Sequence, residues 1–168
     1  MDERPRVVTL RGNPMTLVGP ALKMGDRAPD FTVVDGALNT VTLKDFAGQR
    51  KLISVVPSLD TPICEQQTKR FHAEAEKLPP GTVLITVSMD LPFAQQRFCT
   101  TQGLERLRVL SDYREASFGQ SWGVLIKEVR LLARAVFVLD AQDVIRHVQI
   151  VPEVSEHPDY EAALAAVR

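Results

Sequence analysis

Cysteine is scarce in this chain. Its 168 residues include two, Cys64 and Cys99, with one tryptophan and two tyrosines. The cysteines stand 35 positions apart (99 − 64), which excludes a C-x-x-C redox motif. None of His72, His147 and His157 is spaced from either cysteine as a zinc ligand would be. An excess of charge of one sign is also missing. Lys and Arg number 20 against 21 Asp and Glu, a net charge of −1, so no electrostatic field argues for nucleic acid or an anionic membrane. Long apolar runs are absent too, and nothing approaches the roughly 20 residues of a membrane span. The opening MDERPRVVTLRGNP carries charges and no apolar core of signal-peptide length, so a cytoplasmic protein is expected. In that reducing compartment two cysteines do not suit a permanent staple. They are thiols, a redox pair or inert core residues. There is no internal repeat and no low-complexity segment.

What is present is ordinary for a globular chain, with 45% hydrophobic and 24% charged residues. The length predicts one domain over 1–168 with a sizeable core. The segments 7–10 and 15–18 flank Arg11-Gly12-Asn13-Pro14, which predicts an N-terminal hairpin extension within 1–24. Gly25 to Pro29 breaks the chain. Strands are expected at 31–35, 40–43, 51–57, 82–88, 109–110, 135–139 and 144–151. Helices are expected at 62–78, started by Pro62 and stopped by Pro79-Pro80-Gly81, and at 90–101, 115–122 and from Pro158 onward. On the first helix Ile63, Gln67, Phe71, Ala75 and Leu78 form one stripe with a single polar interruption. Strands alternating with helices, then a closing strand pair and a helix, predict an α/β, thioredoxin-like fold: a central mixed β-sheet flanked by helices, with the N-terminal β-hairpin added.

Cys64 falls in the first turn of the 62–78 helix, straight after an apolar strand. Free N–H groups and the helix dipole there favour an anion. Such a place can lower a thiol pKa from about 8.5 into a range of roughly 3.5–7.5, and the thiolate is the nucleophile. A lone cysteine is also among the most buried residue types and usually only packs. Position alone leaves both readings open.

The wider pattern is Pro57-x-x-x-Thr61-x-x-Cys64 at a strand-to-helix junction. It resembles the active-site motif of peroxiredoxins. SLDTPIC (58–64), DLPFAQQRFC (90–99) and LLARAVFVLD (131–140) resemble segments of bacterial thiol peroxidases, the atypical two-cysteine peroxiredoxins, as do RGNPMTLVG (11–19) and PDYEAALAAV (158–167). The resemblance implies that Cys64 is the peroxidatic cysteine, oxidised by a hydroperoxide to a sulfenic acid. Thr61 would engage the peroxide oxygens, Pro57 would shape the loop, and Arg134 would lie beside the sulfur, favouring the thiolate and polarising the O–O bond. Read from its residues alone, Arg134 is a surface charge at a strand start. Cys99 would be the resolving cysteine, closing an intrachain disulfide with Cys64. Thioredoxin would be the reductant, with no metal, haem or flavin, and the chain would form a homodimer. Alkyl and lipid hydroperoxides are the implied substrates beside hydrogen peroxide, with Met89, Leu91 and Phe93 offering an apolar approach.

Cys99 is expected one position off a core face made by Ala94 and Phe98, in a last turn that frays near Gly103. A disulfide needs Cα atoms within roughly 7 Å, so both helix ends are expected to unwind when the bond forms. Other residues have plainer readings. His147 is expected in solvent with Ile145 and Gln149, and His72 at the surface or an interface. Asp60, Glu65, Glu74 and Glu76 read as a solvated helix face. Trp122 is expected to pack, in a neighbourhood that the resemblance places at a dimer interface. A redox-sensing or binding protein of the same fold, without rapid turnover, is the alternative, and a structural module with inert thiols is a third reading.

Overall fold

The computed structural model describes residues 2–104 and 106–168, so Met1 of the 1–24 extension lies outside the described residues. A seven-stranded mixed sheet runs through the molecule. Its members are β3 (Thr32–Val34), β4 (Thr40–Thr42), β5 (Arg50–Val55), β6 (Thr82–Ser88), β7 (Arg108–Ser111), β10 (Ala135–Leu139) and β11 (Ile145–Ile150), in the order β11-β10-β5-β6-β7-β3-β4. β5, β6 and β7 are mutually parallel, and the remaining pairs are antiparallel. β5 and β6 flank α1 (Pro62–Ala73), and β6 and β7 flank α2 (Pro92–Gln102).

The central strands read as unbroken apolar runs because both faces are covered. Their side chains sort by parity. Leu52, Leu84, Val136 and Val138 join Phe71 of α1 and Ala163, Leu164 and Val167 of α4 (Tyr160–Val167). Ile53, Val55, Ile85, Val87, Ala135, Phe137 and Leu139 face the other way, into a cluster with Phe31, Phe118 and Trp122. Trp122 is fully buried, stacks on Phe118 and meets Phe137 edge-on. Its Nε1 donates to the Pro29 carbonyl at 3.1 Å. It therefore packs as expected and offers no surface of its own to an interface.

A second, four-stranded sheet lies on that side. It contains β1 (Glu3–Leu10), β2 (Asn13–Val18), β8 (Leu125–Ile126) and β9 (Leu131–Leu132) in the order β1-β2-β8-β9. The N-terminal hairpin is longer than the sequence predicts. Its turn is Arg11-Gly12 alone, with φ of 51° and 81° and Leu10 paired to Asn13. Two central residues with positive φ match the twist of a tight hairpin, which is why glycine stands there. Pro14 then sits on β2 opposite Thr9, beyond the two pairs that β2 makes with β8.

Three expectations change. The first helix stops at Ala73, and residues 75–77 form a separate 3₁₀ turn before the prolines. On α2 the buried residues are Pro92 and Gln95, followed by half-buried Phe98 and Cys99, while Ala94 is exposed. Gln95 turns inward because its Nε2 donates to Ser88 Oγ at 3.0 Å and to the Leu110 carbonyl at 2.9 Å. His147 is half-buried, and its Nε2 is sealed from solvent. An irregularity in register at Val138–Leu139 separates it from Ile145, which goes into the core with Val148 and Ile150. Burial pushes the His147 imidazole below its ordinary value, against the pull of Asp159.

Candidate active site

Cys64 is placed by the end of β5 and the start of α1. Val56 N still donates to the Val87 carbonyl at 3.1 Å, and the buried Pro57 then turns the chain away from the sheet. Thr61 occupies the N-cap in an extended conformation, and Pro62 takes the first helical position, where its missing N–H costs nothing. Cys64 lies in the first turn and is 0% exposed, packed with Val56 and Leu59 and flanked by Phe98 and Val109. Its carbonyl accepts from Thr68 Oγ1 at 2.8 Å.

Arg134 immediately precedes β10, which pairs with β5, and the sheet brings its side chain to the same place. It is 2% exposed, so it is no surface charge. Nη2 donates to Cys64 Sγ at 3.3 Å, Nη1 to Gln67 Oε1 at 3.0 Å, and Nε to the Val154 carbonyl at 2.8 Å. Among the described residues no carboxylate pairs with it. A cation this deeply buried normally carries an anion beside it. The groups that meet it are the Cys64 sulfur, the Gln67 amide oxygen and the Val154 carbonyl.

Gln67 is held in turn, with Nε2 donating to Ser54 Oγ at 2.8 Å. It is the single polar interruption of the apolar stripe on the first helix, and that was its signal in the sequence. The loop after Pro57 is clamped from the next crossover. Asp90 accepts from Ser58 Oγ at 2.7 Å, from Leu59 N at 2.8 Å and from Ser88 Oγ at 2.6 Å. Nothing in the pattern around Asp90 marked it for this work.

Thr61 is exposed, and its hydroxyl donates to the Ser58 carbonyl at 3.0 Å. It makes no side-chain cap bond. Pro57, Thr61 and Arg134 line one cavity of about 570 Å³, together with Leu10, Met15 and Ile63. Cys64 lies behind this wall and does not line it. Leu91 and Phe93 are 52% and 63% exposed and do not line this cavity. They line a separate groove of about 720 Å³ between the 58–60 loop and α2, and Met89 packs against the core. That groove also includes Leu59 and Phe98, which pack on Cys64, while the N-terminal hairpin and the start of α1 line the cavity at Arg134.

Cys99 is half-buried on α2, packed beside Phe98 against a cluster containing Leu84, Leu104 and Leu107. Burial pushes its thiol above the ordinary value. Both cysteines are free thiols. Phe98 and Val109 touch the clusters of both, so they stand on the ground between them. The helix end at Cys99 is capped rather than frayed. Gly103 adopts φ 67°, and both Gly103 N and Leu104 N donate to the Cys99 carbonyl. This is the glycine-terminated cap in which a hydrophobic residue beyond the helix packs back on its last turn.

The redoxin family matches residues 23–164. A thiol peroxidase of Halalkalibacterium halodurans is 53% identical over 161 residues, covering 96% of each chain. A thiol peroxidase of Staphylococcus aureus is 52% identical, covering 96% of this chain and 97% of its own. A crystal structure of a peroxiredoxin-like protein from Aquifex aeolicus superposes with a TM-score of 0.88 at 43% identity, over 98% of this chain and 97% of that one. With its central mixed sheet, its flanking helices and relatives of this similarity, the chain belongs to the redoxin family and groups there with the thiol peroxidases.

Proposed function

We propose that the chain reduces hydroperoxides with Cys64 as the peroxidatic nucleophile. A thiol-dependent peroxidase is the activity its thiol peroxidase relatives carry, at more than half identity over nearly the whole chain. The observation that favours Cys64 is the buried Arg134, 3.3 Å from its sulfur and, among the described residues, without a carboxylate. The thiolate attacks the terminal oxygen of the hydroperoxide. The S–O bond forms as the O–O bond breaks, and the alkoxide leaves and takes up a proton, giving Cys64 sulfenic acid and an alcohol or water. Arg134 stabilises the negative charge as it passes from sulfur to oxygen. Because Cys64 is sealed, the loop at Pro57–Thr61 must shift to admit the peroxide, and that shift frees the Thr61 hydroxyl from Ser58 to meet it.

Cys99 then attacks the sulfenic acid, expels water and closes the disulfide. Cys99 must leave its cluster and give up the Gly103 cap, and the first turn of α1 must open. Thioredoxin supplies two electrons as a dithiol and restores both thiols. The working form is a homodimer in the cytoplasm. The exposed Leu91 and Phe93, beside the 58–60 loop, favour a partner surface at this end of the molecule. The test is peroxide consumption with a thioredoxin system by the wild-type chain and by Cys64→Ser. Turnover in the first and none in the second is expected. Equal turnover in both would remove Cys64 from the reaction.

A further inference from the structure

The Cys64 site leans on a segment outside the strands and helices of the core. Residues 152–155 follow β11, and the Val154 carbonyl accepts the Arg134 Nε–H. This segment is fastened to β1. Thr9 N donates to the Pro152 carbonyl at 2.7 Å, and Val154 N donates to the Thr9 carbonyl at 2.8 Å. Glu153 lies between those bonds. Its Oε1 accepts from Thr9 Oγ1 at 2.9 Å and from Gly12 N at 2.8 Å. Its Oε2 accepts from Ser155 N at 2.7 Å and Ser155 Oγ at 2.6 Å.

These donors come from two places, the β1–β2 hairpin and the 152–155 loop. Both also build the cavity in front of Cys64. The hairpin contributes Leu10, Arg11, Asn13 and Met15, and the loop contributes Val154 and Ser155. Charge-assisted bonds to a carboxylate are about twice as strong as neutral ones. The Ser155 hydroxyl and N–H, with Gly12 N, hold the Glu153 carboxyl down at about 2, favouring its ionised form. One carboxylate therefore joins two parts of the cavity wall, the hairpin and the loop whose Val154 carbonyl holds Arg134.

We propose that Glu153 is a positioning residue for the peroxidase reaction: it locks the β1–β2 hairpin to the 152–155 loop, setting both the orientation of Arg134 beside Cys64 and the shape of the wall that receives the organic part of a hydroperoxide. The inference rests on Cys64 as the peroxidatic residue. A latch that served stability alone would affect every peroxide in proportion to the folded protein lost. A latch that positions the site affects a bulky hydroperoxide more than a small one, because only the bulky one needs the wall.

The test uses the full chain with Glu153→Gln and, separately, Thr9→Val. Glu153→Gln sets an amide N–H₂ against donors that need an acceptor. Thr9→Val removes one donor and keeps the backbone bonds. The rate of Cys64 oxidation in a single turnover is measured with hydrogen peroxide and with cumene hydroperoxide, beside thermal unfolding of each variant. For Glu153→Gln the expected result is a fall of roughly tenfold with hydrogen peroxide and a further fall of about threefold or more with cumene hydroperoxide, with the protein folded at the assay temperature. Thr9→Val should move the same ratio in the same direction by less. An unchanged ratio, with rates tracking only the folded fraction, overturns the proposal. If Glu153→Gln does not fold, an unchanged ratio in Thr9→Val overturns it. A wild-type chain that neither peroxide oxidises at Cys64 strikes the underlying reading and takes this inference with it.

Discussion

Cys64 begins a helix and Cys99 ends one. At the start of α1 the sulfur is fully buried, yet a guanidinium donates to it from 3.3 Å. At the end of α2 the thiol is only half-buried, among Phe98, Leu104 and Leu107, and its burial pushes it up. The two thiols differ in exposure, and they differ more in what surrounds them. One thiol shares its burial with a cation at the positive end of a helix dipole, and the other shares it with hydrocarbon at the negative end.

The strongest way to break this contrast is to remove each sulfur in turn. Cys64→Ser should consume no peroxide. Cys99→Ser should still undergo one rapid oxidation at Cys64, while turnover with thioredoxin falls to the background. Loss of that first oxidation in Cys99→Ser would contradict the division of labour. Next in size is the cation. Arg134→Ala removes the guanidinium beside Cys64 and orphans Gln67 Oε1, so single-turnover oxidation should slow by roughly 10²–10³-fold. Gln67→Ala, which loosens the guanidinium without removing it, should cost about tenfold in the same assay.

The Cys99 side is tested through its cap. A side chain at Gly103 would meet nothing within 4 Å, so Gly103→Ala costs only the left-handed backbone, about 1–2 kcal/mol. Melting should drop by a few degrees. Disulfide closure should quicken and amide exchange at 99–104 should rise, because the cap that Cys99 must abandon is already weaker. Slower closure would mean that the capped end is not the barrier.

The smallest effect is on pH. Burial raises the Asp112 carboxyl to about 6 although it accepts from Phe118 N and Gly119 N. The native state then holds a proton that the unfolded chain releases near 3.8, so stability from this group is present below 3.8 and lost as pH rises through about 6. Glu153 has the opposite sign. Its contribution is present above 4.5 and lost as pH falls through about 2. Denaturant titrations of wild type and Asp112→Asn between pH 4 and 7 should show the wild type losing ground to the variant as pH rises. Parallel curves would show that Asp112 does not titrate in that window.

The sheet was legible because its central strands are covered on both faces and therefore read as apolar runs. β10 falls at 135–139 as expected, and the parallel β5–β6 pair follows from the helix between them. β8 and β9 are strands of two residues, too short to carry a period of their own. The face of α2 was misassigned because Gln95 is buried by hydrogen bonds and not by hydrophobicity. At the site, Cys64 and Gln67 left marks in the sequence, the one at a helix start and the other as a polar break in a stripe. Arg134 left none of its own, and only the likeness to thiol peroxidases pointed to it. Glu153 and Asp90 act between segments far apart in the chain, which no local pattern encodes.

The most direct measurement is the mass and free-thiol content of the reduced chain after one equivalent of cumene hydroperoxide. Loss of two hydrogens, no free thiol and a peptide joining Cys64 to Cys99 is the predicted result. Two free thiols after minutes of exposure would contradict it, and would show that a buried arginine beside Cys64 does not make that sulfur a nucleophile.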